Sequence, residues 1–145
     1  MSKMFSIALM LMLLCSCFAT GIHKAVYNDD MDQVRSFVDE GQVNERQGSL
    51  EQTPLLAAAF NDNKKIVQYL CDHGADVNDR DKKGQTALIY AANYGFYELA
   101  DLLLHKGADA NLKDQDGHTA LYYAKFCRYY RIVDILEDAG ASFQP

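Results

Sequence analysis

Four cysteines, four histidines and the Lys82-Lys83 pair are the residues from which chemistry could be built in this 145-residue chain. Cys15 and Cys17 stand in an apolar N-terminal run, whereas Cys71 and Cys127 lie far apart in the body. They form no Cys-x-x-Cys pair and no Cys/His cluster at zinc spacing, so structural zinc and dithiol exchange have no motif. His23, His73, His105 and His118 fall in separate stretches, and no nucleophile has a catalytic motif around it. A Ser-His-Asp or Cys-His constellation assembles in space and leaves no such trace in sequence. The expectation is no enzyme, no metal and no cofactor.

Composition narrows the partner. Lys plus Arg number 14 against 20 Asp plus Glu, a formal net charge of −6. Nucleic-acid binding needs clustered cations to displace phosphate counterions, so it is excluded as the expected function. Charged residues make up 23% of the chain and hydrophobic ones 49%, the balance of a folded domain.

The N-terminus reads as an address. Lys3 precedes ten residues, Phe5 to Leu14, in which Ser6 is the only polar member, and Ser16, Ala19, Thr20 and Gly21 follow. A cationic start, a short apolar core and a small-residue exit predict a secretory signal peptide over residues 1–19. A membrane-spanning helix needs roughly 20 apolar residues, about twice this run. Two processing routes stay open. One is cleavage after Ala19. The other uses Leu14-Cys15-Ser16-Cys17, which resembles a bacterial lipobox and implies lipidation of Cys17. The first leaves a periplasmic or secreted protein, the second one anchored to a membrane through lipid. The short tether, Phe18 and Ala19, tilts the expectation towards soluble release.

The elements that would position any site come from a repeat. Thr53, Thr86 and Thr119 are 33 residues apart, as are Gly41, Gly74, Gly107 and Gly140. Thr53-Pro-Leu-Leu-Ala-Ala, Thr86-Ala-Leu-Ile-Tyr-Ala and Thr119-Ala-Leu-Tyr-Tyr-Ala align, with Thr20-Gly-Ile-His-Lys-Ala as a degenerate first copy. Each Thr can cap a helix, and Pro54 suits a first helical position. Leu55, Leu88 and Leu121 then face inward, and Ala58, Ala91 and Ala124 are small where two helices pass. Ile66-Val67-Leu70, Leu99-Ala100-Leu103 and Ile132-Val133-Leu136 repeat at helical spacing in a second helix. Gly closes each unit where a left-handed residue ends a helix. Gln33 stands where later units have Leu or Ile, as suits the soluble face of an end repeat.

These motifs resemble the ankyrin repeat, through Asp81-Lys-Lys-Gly-Gln-Thr, Asp114-Gln-Asp-Gly-His-Thr and Gly74-Ala-Asp-Val-Asn. The resemblance implies an all-α solenoid of four helix-turn-helix repeats joined by β-hairpin loops. One domain over 20–145 would hold repeats at 20–45, 46–79, 80–112 and 113–142. The segment Arg46 to Glu51 lacks the Asp-x-x-Gly turn, so an irregular fingertip is expected there. Stacked repeats would also hold Cys71 and Cys127 beyond the ~4.4–6.8 Å Cα spacing of a disulfide, leaving two free thiols.

In proteins with this fold, partners bind the hairpin tips and the inner face of the first helices. Carried over residue by residue, that implies Phe60, Asn61, Asn93, Tyr94 and Phe126 on the helices, with Lys82, Lys83, Gln85 and His118 at the tips. The crowded Tyr122, Tyr123, Phe126, Tyr129 and Tyr130, with Lys125, Arg128 and Arg131, read either as a binding patch or as a terminal cover that keeps hydroxyls wet. Terminal repeats are atypical, which favours the cover. The expected function is an exported monomer that binds another protein as a scaffold or adaptor. The alternatives are an immunity-type inhibitor of a toxin or hydrolase in the same compartment and a thiol-active protein.

Overall fold

A computed structural model describes residues 21–142. It contains four helix pairs: α1 (Gly21–Tyr27) with α2 (Met31–Asp39), α3 (Pro54–Phe60) with α4 (Lys64–Asp72), α5 (Ala87–Tyr94) with α6 (Tyr97–His105), and α7 (Ala120–Phe126) with α8 (Tyr130–Asp138). Helices this short are marginal alone, so capping and packing must hold them. Thr53, Thr86 and Thr119 accept the N–H groups of Leu56, Ile89 and Tyr122 at 3.5, 3.2 and 3.3 Å. Second helices start differently. Asp30 and Asn63 cap α2 and α4, but Phe96 and Tyr129 hold the same place before α6 and α8 and give no side-chain cap.

Packing follows the period. Each first helix touches the first helix of the next unit, and each second helix touches its counterpart more sparsely. Leu55, Leu88 and Leu121 are buried, as are Ala58, Ala91 and Ala124, so a single apolar core runs from Ile22 to Leu136. Between units, Asn44, Asn78 and Asn111 reach the carbonyls of Gly74, Gly107 and Gly140 at 3.4, 3.5 and 3.3 Å. Loop carbonyls just past the second helices are thereby satisfied by the neighbouring unit.

The last unit closes the stack with charge. Ala59 and Ala92 are fully buried, and the same position in the fourth unit is Lys125. Cys71 and Leu104 give way likewise to Glu137. Lys125 and Glu137 form an ion pair at 2.8 Å. A fifth unit would have to desolvate that pair, a cost of several kcal/mol per ion.

Two expectations about the fingers need correction. The loops carry hairpin-like turns, but the isolated bridge among the described residues is a single one, Gln47 to Gln52. It falls in the fingertip expected to be irregular. Gln47 and Gln52 exchange N–H···O bonds at 2.9 Å each, and the turn is made by left-handed Gly48 and Glu51. Arg46 secures it by donating to the carbonyls of Glu51 and Arg80 and pairing with Asp79. The other two tips are closed by aspartate. Asp81 Oδ1 accepts from Lys83 and Gln85, and Asp114 Oδ1 accepts from Asp116 and His118.

The turn inside each helix pair demands a left-handed residue: Asp29, Asp62, Gly95 and Arg128, at φ 56°, 52°, 79° and 61°. Only Gly95 is also crowded. A Cβ there would lie 2.8 Å from the Tyr129 ring. We expect Gly95→Ala to cost at least about 2 kcal/mol, from left-handed strain plus overpacking. Arg128→Gly, at the open equivalent, should instead stabilise by about 0.5–1 kcal/mol, the strain relieved less the entropy of glycine. Urea unfolding of the two variants beside the parent checks both signs.

Candidate protein-binding surface

The aromatic residues of the first helices divide into a buried set and an exposed set. Tyr90 is buried, and its hydroxyl donates to Asp81 Oδ2 at 2.6 Å while accepting from Gln52 Nε2 at 3.0 Å. The next unit repeats the aspartate bond, with Tyr123 donating to Asp114 Oδ2 at 2.6 Å and the Gln85 side chain beside its hydroxyl. Burial, then the aspartate beside it, raises each phenol far above its ordinary range. Both therefore stay neutral donors and tie a helix to the finger before it. The sequence reading missed this link. Its signal was the nine-residue spacing of Asp81–Tyr90 and Asp114–Tyr123 within the 33-residue period.

The residues expected to bind are distributed around that frame. Phe60 is half-buried, edge-on to Tyr90 at 5.7 Å and to Tyr94 at 5.5 Å between centroids. It covers the adjacent unit. Tyr94 is 43% exposed and stacks beside Phe96 at 5.8 Å. Phe126 is 76% exposed and continues a stack of His118 on Tyr122, whose rings are 3.8 Å apart. Thus Phe60 and Tyr94 meet, as do His118 and Phe126 through Tyr122. Asn61 and Asn93 are half-buried, and the Asn93 carbonyl accepts from the Cys127 thiol at 3.8 Å. Gln85 is half-buried, with its side chain beside the Tyr123 hydroxyl. Lys82 and Lys83 are exposed, and Lys82 lies 3.9 Å from Glu51 on the neighbouring tip.

The groups with chemical potential have structural partners. Cys71 and Cys127 are unpaired, and burial raises the Cys71 thiol above its ordinary value, which disfavours the thiolate. Asp114, Asp116 and His118 could bring three ligand atoms within 4.8 Å. Asp114, however, already spends its oxygens on two backbone N–H groups and the Tyr123 hydroxyl. His73 stacks on Tyr69 and His105 bonds to the Asp101 carbonyl, so the four histidines sit apart. Among the described residues no helix is long and apolar enough to cross a membrane. Cys17 lies outside those residues, as does the rest of the expected signal segment.

His23 is the one histidine in the core. Its Nε2–H donates to the Gln52 carbonyl at 2.7 Å, and its buried Nδ1 has no partner. Burial lowers its pKa below 6.5, opposed by the Gln52 carbonyl and by Glu45. The folded state holds His23 neutral, whereas the unfolded chain takes up a proton near pH 6.5. Stability from this site is complete above that pH and is lost as pH falls from there through the lower folded-state value. Urea midpoints at pH 7.5 and 5 should show that loss. His23→Leu, the residue type at the equivalent Leu56, should remove this part of the pH dependence.

A family model described as ankyrin repeats (3 copies) matches residues 22–114 and 81–144 of the chain. No curated protein matches it at a significant level.

Proposed function

The chain belongs to the ankyrin-repeat family, and on that premise we propose that it is an exported scaffold or adaptor that grips a partner protein by the exposed aromatics of units three and four. Ankyrin repeats generally mediate protein–protein interaction. The observation that carries the finer reading is where exposure falls. The exposed large hydrophobic residues among those described are Tyr94, Phe126, Tyr129 and Tyr130, all in the last two units. Exposed apolar clusters of this kind mark interaction surfaces, and Tyr is among the residues most enriched as interface anchors. Tyr94 and Phe126 are backed by stacked rings, so little side-chain entropy remains to be lost on binding.

Binding, and not turnover, is the proposed work, because the histidines, thiols and buried carboxylates already serve packing and turn closure. The test is a pull-down of the tagged, processed protein from its own envelope fraction, beside Tyr94→Ala/Phe126→Ala. Phe126 is 76% and Tyr94 43% exposed, and circular dichroism checks that the double variant stays folded. We expect its recovery of the partner to fall by about tenfold or more, as for anchor residues. A partner retained in full by the folded variant would overturn the assignment.

The proposal of export rests on the cationic, apolar and small-residue pattern of residues 1–19. The intact mass of the protein from the envelope should correspond to a chain starting at Thr20. A lipid-modified chain starting at Cys17 would place it on a membrane instead. An unprocessed chain in the cytosolic fraction would refute export.

A further inference from the structure

The five arginines of this chain are not used alike. Arg35 pairs with Asp32 at 3.6 Å, Arg46 pairs with Asp79, and Arg80 donates to the carbonyls of Gly84 and Lys113. Arg128 and Arg131 have neither a carboxylate nor a carbonyl acceptor among the described residues. Among the described residues of this chain of net charge −6, Arg128 and Arg131 are thus the arginines that the frame leaves without an acceptor.

Their setting is a built surface. An open groove lies between the turn that joins α5 to α6 and the turn that joins α7 to α8. Gly95, Tyr97, Tyr129, Tyr130, Arg131 and Ile132 line it. The Arg131 guanidinium lies over the Tyr97 ring, 3.9 Å from its centroid. Stacking of this kind occupies the flat face of the guanidinium and leaves its N–H edge for a carboxylate. Tyr129 packs on Gly95, which carries no Cβ, so the groove floor is fixed by the same contact that fixes the turn. Tyr130 is 69% exposed at its rim. Arg128 is exposed in the adjoining turn and held in a left-handed conformation.

Acidic residues also lie along this side of the molecule. Glu98 and Asp134 are the acidic residues nearest in sequence to Tyr97 and Arg131, and neither pairs with an arginine. Farther along α6 and α8, a second depression is lined by Asp101, His105 and Asp138. The arginines stand in the α7–α8 turn and the first turn of α8, while carboxylates line the second depression.

We propose that the groove between these two turns docks an acidic segment of a partner protein, whose carboxylates meet Arg128 and Arg131 while an apolar side chain packs on Tyr130. Charge complementarity selects this occupant. A segment rich in Asp and Glu gains two acceptors' worth of charge-assisted bonds here, and is repelled by the acidic depression beyond. This groove shares Tyr129 and Tyr130 with the exposed aromatics described above but uses neither Tyr94 nor Phe126, whose replacement tests that reading separately.

The test is fluorescence anisotropy with the full chain and a labelled peptide of repeated Glu-Glu-Leu units, beside its Gln-Gln-Leu counterpart. The acidic peptide should bind at least about tenfold more tightly, and more weakly as salt rises, since exposed charges are screened. Arg128→Gln/Arg131→Gln should lower its affinity about tenfold or more, and Tyr130→Ala should lower it several-fold. Arg131→Lys, which keeps the charge, guards against a fold lost with the Tyr97 stack and should retain part of the binding. Tyr94→Ala/Phe126→Ala should leave the peptide affinity unchanged. Equal affinity for the two peptides, no binding of the acidic one, or unchanged affinity in the folded double arginine variant would each overturn the proposal. So would tighter binding to the control, vesicles containing phosphatidylserine, which would make the groove a membrane contact.

Discussion

A helix pair of this size cannot bury its own apolar stripe, and that constraint shapes the rest of the molecule. Seven to nine residues of helix are too few to persist alone. Each unit therefore lends its face to the next, and the core extends as one body through Ile22, Leu55, Leu88 and Leu121. Ala58, Ala91 and Ala124 let the first helices approach. Larger side chains there would hold adjacent units apart, with overpacking costs of about 1–3 kcal/mol each.

Polar groups then set the register that apolar contact leaves loose. The asparagine ladder from Asn44 to Asn111 and the Gln52–Tyr90 hydrogen bond join units to their neighbours at fixed atoms. A buried carboxylate such as Asp81 is tolerable because two backbone N–H groups and a hydroxyl satisfy it. At the last unit the pattern is broken by the Lys125–Glu137 pair, which keeps the end of the stack hydrated. The aromatics that remain uncovered are then concentrated in the final two units, where a surface for a partner is available.

Much of the fold was legible from spacing alone. Thr caps, inward Leu and Ala, and closing Gly recur every 33 residues, and the helices begin and end where those residues place them. The candidate surface was less so. Tyr94 and Phe126 stand exposed as a resemblance-based reading expects, whereas Phe60, at a comparable place, is half-buried against Tyr90. The fingertip at Arg46 to Glu51 closed without its usual aspartate, because Arg46 supplied bonds from 33 and 34 residues away.

The sequence by itself determined the number of units, the starts of the capped first helices and the core faces. Those depend on local capping and on a periodicity repeated within the chain. Only the tertiary structure decided which aromatics are exposed and which cations are unpaired. Both are properties of what the adjacent unit places against a side chain. Tyr90 and Tyr94 are four residues apart on one helix, yet Tyr90 is buried with its hydroxyl on Asp81 and Gln52, whereas Tyr94, flanked by Phe60 and Phe96, stays 43% exposed.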